Sequence, residues 1–164
     1  MTIYFGTFIV SYLFCWYGEW LINHKKVKIA RVMLILAALA PAVLAGIRDY
    51  TIGTDIATYG HWRFIAAQNE KNPITFALSK TSIDFLYSVL VYCTAHLFQS
   101  EHWLYFFTGI LIYGFTIAGL YRYRKEISIS MAWLCYLFLF YGDTLNAMRQ
   151  CIAITILIFA FSYF

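Results

Sequence analysis

The chain has 164 residues, of which 62% are hydrophobic and only 12% charged. Soluble domains carry about 25% charged residues, so this chain lacks the polar surface to cover itself in water and is expected to form an all-α, polytopic transmembrane helix bundle. Its net charge of +4 comes from basic residues set between apolar runs, a pattern that fits membrane topology and lipid phosphate rather than a nucleic-acid partner.

A spanning helix needs roughly 20 mostly apolar residues. Residues 3–22 supply the first, with Glu19 near its end, and residues 29–47 the second, where Pro41 is expected to introduce a kink. Residues 48–82 form one long polar segment, within which 56–68 reads as a short interfacial helix ended by Asn72-Pro73. Further apolar runs follow at 83–98, 103–121, 127–142 and 145–164, giving about six helices in a single domain over 1–164. The chain closes on Ile158 to Phe164 without a charged anchor, which reads as the N-terminal half of a longer membrane protein. Cys15, Cys93, Cys135 and Cys151 all lie inside apolar runs, with no CxxC and no His at ligand spacing. They read as small buried apolar residues, and no metal or cofactor is expected.

Charge gives two conflicting signals about orientation. The loop at 23–31 holds Lys25, Lys26, Lys28 and Arg31 and no acid, so it is expected on the cytoplasmic side, with 48–82 outside. Strict alternation then places 122–126 outside as well, although Arg122, Arg124 and Lys125 argue for inside. Either one apolar run is re-entrant or the second loop breaks the rule.

Two clusters stand out chemically. The first runs from Gly46 to Tyr59. In it Arg48 is a planar cation able to fork onto phosphate, Gly53 permits a positive φ, and Asp55 can act as a base or orient a sugar hydroxyl. The bland alternative makes Arg48 a snorkelling helix-end residue and Asp55 an N-cap. The second cluster is Asn146, Arg149 and Gln150, spaced i, i+3, i+4 so that they share one face of a continuous helix. Intramembrane ionisable groups are functional by default; the alternative is a structural ion pair or interhelical hydrogen bond. His61, on the external segment, can serve as a base near neutral pH or simply be an interfacial polar residue. His24, His96 and His102 read as boundary residues.

Ala45-Gly46-Ile47-Arg48, then Gly53-Thr54-Asp55 with Tyr59, then Asn146 with Met148-Arg149-Gln150 and Ala153 resemble, in this order, the EpsG family, which is related to the Wzy-type O-antigen and exopolysaccharide polymerases. Ile83 to Tyr87 also looks like that family's third helix, although members more often have an acid followed closely by Gly-Tyr there. The resemblance implies a multi-pass protein of the bacterial cytoplasmic (inner) membrane that works outside it on a lipid-linked oligosaccharide of the undecaprenyl diphosphate type, beside other polysaccharide-assembly proteins. It implies an inverting glycosyl transfer in which the diphosphate leaves, so that no nucleotide sugar is needed. Arg48 and Arg149 would neutralise that leaving group, with Tyr59, Asn146 and Gln150 lining the substrate. Asp55 or His61 would help deprotonate the acceptor hydroxyl. Two other readings remain: a transporter or flippase of lipid-linked sugars using the same arginines without bond cleavage, and a non-catalytic or truncated assembly partner.

Overall fold

The computed structural model describes residues 2–49, 51–53, 56–78 and 85–163, without the side chains of 57–59. The described residues are helical and contain no strand. In chain order the helices are α1 (Thr2–Asn23), α2 (Val27–Gly46), a π-helical stretch (Ile56–His61) leading into α3 (Trp62–Asn69), α4 (Pro73–Leu78), α5 (Phe85–Leu97), α6 (Glu101–Arg122), α7 (Ile129–Asn146) and α8 (Met148–Phe161). By length and composition α2 and α6 can cross a membrane, while α5 and α8 are shorter apolar helices. Large apolar side chains stay exposed on the outside of the bundle, among them Ile3, Phe5, Ile9, Leu13, Val32 and Ile35. A soluble monomer rarely tolerates such continuous apolar surface.

Small residues let the two long helices approach closely. Ala38, Ala42 and Gly46 recur every fourth residue along α2 and are buried. A Cβ added at Gly109 of α6 would meet the Ala42 Cα at 3.0 Å, and one added at Gly46 would meet the Phe106 Cβ at 2.9 Å. Small residues at a membrane-helix contact replace the hydrophobic drive that water would supply. Polar groups tie in the other helices. The Trp133 indole N–H donates to Ser11 Oγ (2.8 Å), and Ser11 donates to the Ala37 carbonyl (2.6 Å), joining α7, α1 and α2 in a buried relay.

These contacts also fix which helix ends lie together. His102 Nδ1 donates to the Gly46 carbonyl at 2.8 Å, so the start of α6 meets the end of α2. The Glu19 carboxylate accepts from the Ile129 and Ser130 amides (2.8 and 3.0 Å) and from the Ser128 and Ser130 hydroxyls. The end of α1 therefore meets the start of α7. Arg122 reaches the Ser162 carbonyl and lies over the Tyr163 ring, 3.9 Å from its centroid. The basic loops at 24–28 and 122–126 thus share one end of the bundle, and Arg48 lies at the other.

Three sequence expectations change. First, the 83–98 run is not a passage between the two ends, because the chain leaves α2 and enters α6 at the same end. Among the described helices, α1, α2, α6, α7 and α8 run from end to end. This removes the conflict between the two basic loops. Second, the last run is not one helix with Asn146, since Ala147 (φ −119°, ψ 50°) separates α7 from α8. Third, of the four cysteines only Cys15 is buried; Cys151 is half-buried, and Cys93 and Cys135 are exposed on the bundle surface. The short helix at 56–68 is present, ending at Asn69, while Pro73 opens α4 with Asn72 Oδ1 capping the Ile74 amide at 3.0 Å. Pro41 is buried within α2, which continues through it.

Candidate functional site

Arg48 leaves the end of α2 and turns inward rather than toward lipid headgroups. It is 6% exposed. Its Nη2 donates to the Met148 sulfur at 3.1 Å, and its guanidinium carbon lies 5.1 Å from the centre of the Tyr105 ring. Nε and Nη1 have no hydrogen-bond partner among the described residues. Burial pulls its pKa below the ordinary arginine value, opposed by the surrounding phenols of Tyr113, Tyr141, Tyr105 and Tyr87; an arginine so placed stays charged. The neighbouring Asp49 does not neutralise it. That carboxylate accepts from the Thr51 N–H (2.9 Å) and hydroxyl (2.7 Å), which hold its pKa below the usual range.

The turn after Arg48 is closed by Gly53, whose φ of 112° suits glycine. A Cβ there would lie 2.6 Å from the Leu145 carbonyl oxygen, so the turn rests directly on the last residues of α7. Two residues further on, the break at Ala147 starts α8 beside Arg48. Its N-cap residue is Ala147, whose side chain makes no cap, and its first N–H groups add partial positive charge at the same place. Arg149 lies in this first turn and is half-buried. The same break parts Asn146 from Arg149 and Gln150: Asn146 ends α7, donating to the Gly142 carbonyl at 3.1 Å, and Gln150 is exposed.

His61 is brought to the same end by the π-helical stretch. Its Nδ1 lies 2.9 Å from Glu101 Oε2, and the Tyr105 hydroxyl donates to that same oxygen at 3.0 Å. An ionised carboxylate only accepts, so the imidazole proton sits on Nδ1 and Nε2 is the basic nitrogen. A cleft of about 300 Å³ opens beside it, lined by His61, Phe64, Gln68, Ser100, Glu101 and His102. Arg48, Tyr105, Glu101 and His61 thus form one connected chain of contacts. Asp55 lies outside the described residues, as does the side chain of Tyr59.

Sequence reasoning missed three residues here. Glu101 carries no signal in the sequence that marks it, and Tyr105, in the run Tyr105-Phe106-Phe107, reads as a lipid-facing or packing residue. Arg63 reads as the solvated face of an interfacial helix, yet its Nη2 donates to Ser88 Oγ at 2.9 Å and its guanidinium lies 4.8 Å over the Phe76 ring. An apolar groove of about 460 Å³ between α2, α6 and α8 is at the opposite end beside Arg31 and Arg122, away from this chemistry.

Among known proteins, the model of the EpsG family matches residues 31–164, well over half of the chain and including every residue of this site. No curated protein and no solved structure matches.

Proposed function

Because the chain belongs to the EpsG family, we propose that it is a multi-pass protein of the bacterial cytoplasmic membrane that helps to polymerise polysaccharide repeat units carried on a lipid diphosphate. The observation that carries this reading is Arg48: a guanidinium 6% exposed, with Nε and Nη1 lacking a partner among the described residues, beside the start of α8. A buried cation without a counter-charge destabilises the fold. A helix N-terminus beside it is an anion site by its own electrostatics. Together they are what a leaving diphosphate requires.

In the reaction we infer, the hydroxyl oxygen of the acceptor sugar attacks the anomeric carbon of the donor. The bond from that carbon to the diphosphate oxygen breaks, and the diphosphate leaves with the electron pair. Arg48, Arg149 and the α8 amides stabilise the charge that grows on it. His61, held by Glu101 through Nδ1, takes the hydroxyl proton on Nε2, with Asp55 as the other base. Tyr59, Asn146 and Gln150 complete the substrate lining. With the basic loops on the cytoplasmic side, the site faces outward, where other polysaccharide-assembly proteins deliver and remove the chain.

The test is polymer formation from lipid-linked repeat units in membranes that contain the protein. Arg48→Ala and Arg149→Ala are each expected to reduce it by at least ~100-fold, the scale on which removing one stabilising donor acts. Polymer formed at the normal rate by both variants would refute the reading.

A further inference from the structure

The groove between α2, α6 and α8 has a direction. Its lining runs Arg31, Leu34, Leu39 along α2 and, in the opposite sense, Arg122, Ile117, Ile110 along α6. The two arginines therefore stand at its mouth, at the basic end of the bundle, and apolar walls follow. The spacing of the two helices sets its length. Toward the site end they meet, since a Cβ added at Gly109 would lie 3.0 Å from the Ala42 Cα. Toward the basic end they part, and a Cβ added at Gly114 meets nothing within 4 Å. The groove opens between them there, and Ile35 on its edge is exposed to the surroundings of the bundle.

We propose that this groove holds one acyl chain of an anionic phospholipid, drawn from the leaflet at the basic end, with the lipid phosphate on Arg31 and Arg122. Length selects the chain. From its mouth the groove follows α2 for about 12 Å and α6 for about 18 Å, close to the ~15 Å of hydrocarbon in one leaflet. A partner helix would need contact over the full ~30 Å, and α2 and α6 close against each other before that. Charge selects the headgroup. Arg122 is held at the mouth, its Nε donating to the Ser162 carbonyl at 3.4 Å and its guanidinium 3.9 Å over the Tyr163 ring. Arg31 is exposed beside it. Among the described residues neither arginine is ion-paired, and no acid lines the groove. A choline or ethanolamine ammonium would find no counter-charge here, whereas phosphate oxygens meet two forked donors. This site lies at the other end of the molecule from Arg48 and does not depend on the function proposed above.

The protein is taken from nanodiscs of phosphatidylglycerol and phosphatidylcholine in equal parts, and the lipids that stay bound are counted by native mass spectrometry. Phosphatidylglycerol is expected to be retained in preference. Arg31→Gln and Arg122→Gln, at exposed positions that leave the fold intact, are each expected to lower the retained ratio of the two lipids ~5-fold. Lys125→Gln removes a charge from the same end but outside the groove, and is expected to change the ratio by less than ~2-fold. An equal loss in all three variants would mean diffuse attraction to a basic surface and would overturn the proposal. Gly114→Leu leaves the charge unchanged and fills the groove, so it is expected to expel the retained lipid; retention as in the unaltered protein overturns the proposal. Should that variant not fold, the comparison of the arginines with Lys125 decides alone. Absence of retained lipid from the unaltered protein would mean that the groove is empty or is filled by protein, and also overturns it. Arg48→Gln is expected to keep its lipid; loss there would put the lipid at the opposite end, and the groove would not be its site.

Discussion

At Arg48 two demands on one residue conflict. Among the described residues the fold gains from Arg48 a weak N–H···S contact and the face of one ring, against an effective penalty of several kcal/mol for burying an ion. Replacing it by methionine, of similar length and apolar, is expected to stabilise the folded protein by about 1–4 kcal/mol while anion binding and polymer formation are lost. Chemical unfolding in detergent, followed by tryptophan fluorescence, reads the first effect and pyrophosphate titration the second. Stability lost together with binding would make Arg48 a structural residue. Arg48 was singled out in the sequence by the family motif around Ala45 to Arg48, since a charge at the end of an apolar run also has an ordinary snorkelling reading. Arg63 was not, because it stands among polar residues where a charge needs no explanation. Only the contact with Ser88 on α5, 25 residues further along the chain, shows that it is tied into the fold.

At the scale of the element, the helices were readable to within a few residues, and the break that builds the site was not. Ala147 has the residue type with the strongest helix propensity, so nothing local predicts that α7 should stop there. Packing decides it: the Leu145 carbonyl abuts the Gly53 turn on one side, and Met148 meets Arg48 on the other. A continuous helix could not satisfy both contacts, and the i, i+3, i+4 face of Asn146, Arg149 and Gln150 is lost as a result. At the opposite end α7 is fixed more conventionally. Glu19 serves as an N-cap supplied by another helix, accepting two backbone amides and two hydroxyls. Glu19→Ala is expected to destabilise the protein by about 1–3 kcal/mol, since it strands donors at a half-buried helix start. Hydrogen exchange at the Ile129 and Ser130 amides should accelerate at the same time. Amides that stay protected in this variant would show that α7 is held by its packing alone.

At the scale of the whole molecule, the arrangement of ends makes a claim about the membrane. The lengths fit: α2, with 20 residues, spans about 30 Å, the thickness of a hydrocarbon core. Aromatic residues mark both boundaries, with Tyr17 stacked on Trp20 and His24 packed against Trp20 near the basic loops, and Phe98, Trp103 and Phe107 stacked at the site end. Because α5 does not pass between the ends, Lys25 and Lys125 belong on one side of the membrane, and Asn69 and Gln99 on the other; all four are exposed. Single cysteines introduced by Lys25→Cys, Lys125→Cys, Asn69→Cys and Gln99→Cys, with the four native cysteines replaced, can be probed in intact cells with a membrane-impermeant maleimide. Asn69→Cys and Gln99→Cys are expected to react from outside. Lys25→Cys and Lys125→Cys should react only after the membrane is opened. Labelling of Lys125→Cys but not Lys25→Cys in intact cells would mean that α5 crosses after all. The start of α6 would then lie on the cytoplasmic side, parting Glu101 and Tyr105 from Arg48, and the connected site from Arg48 to His61 could not exist.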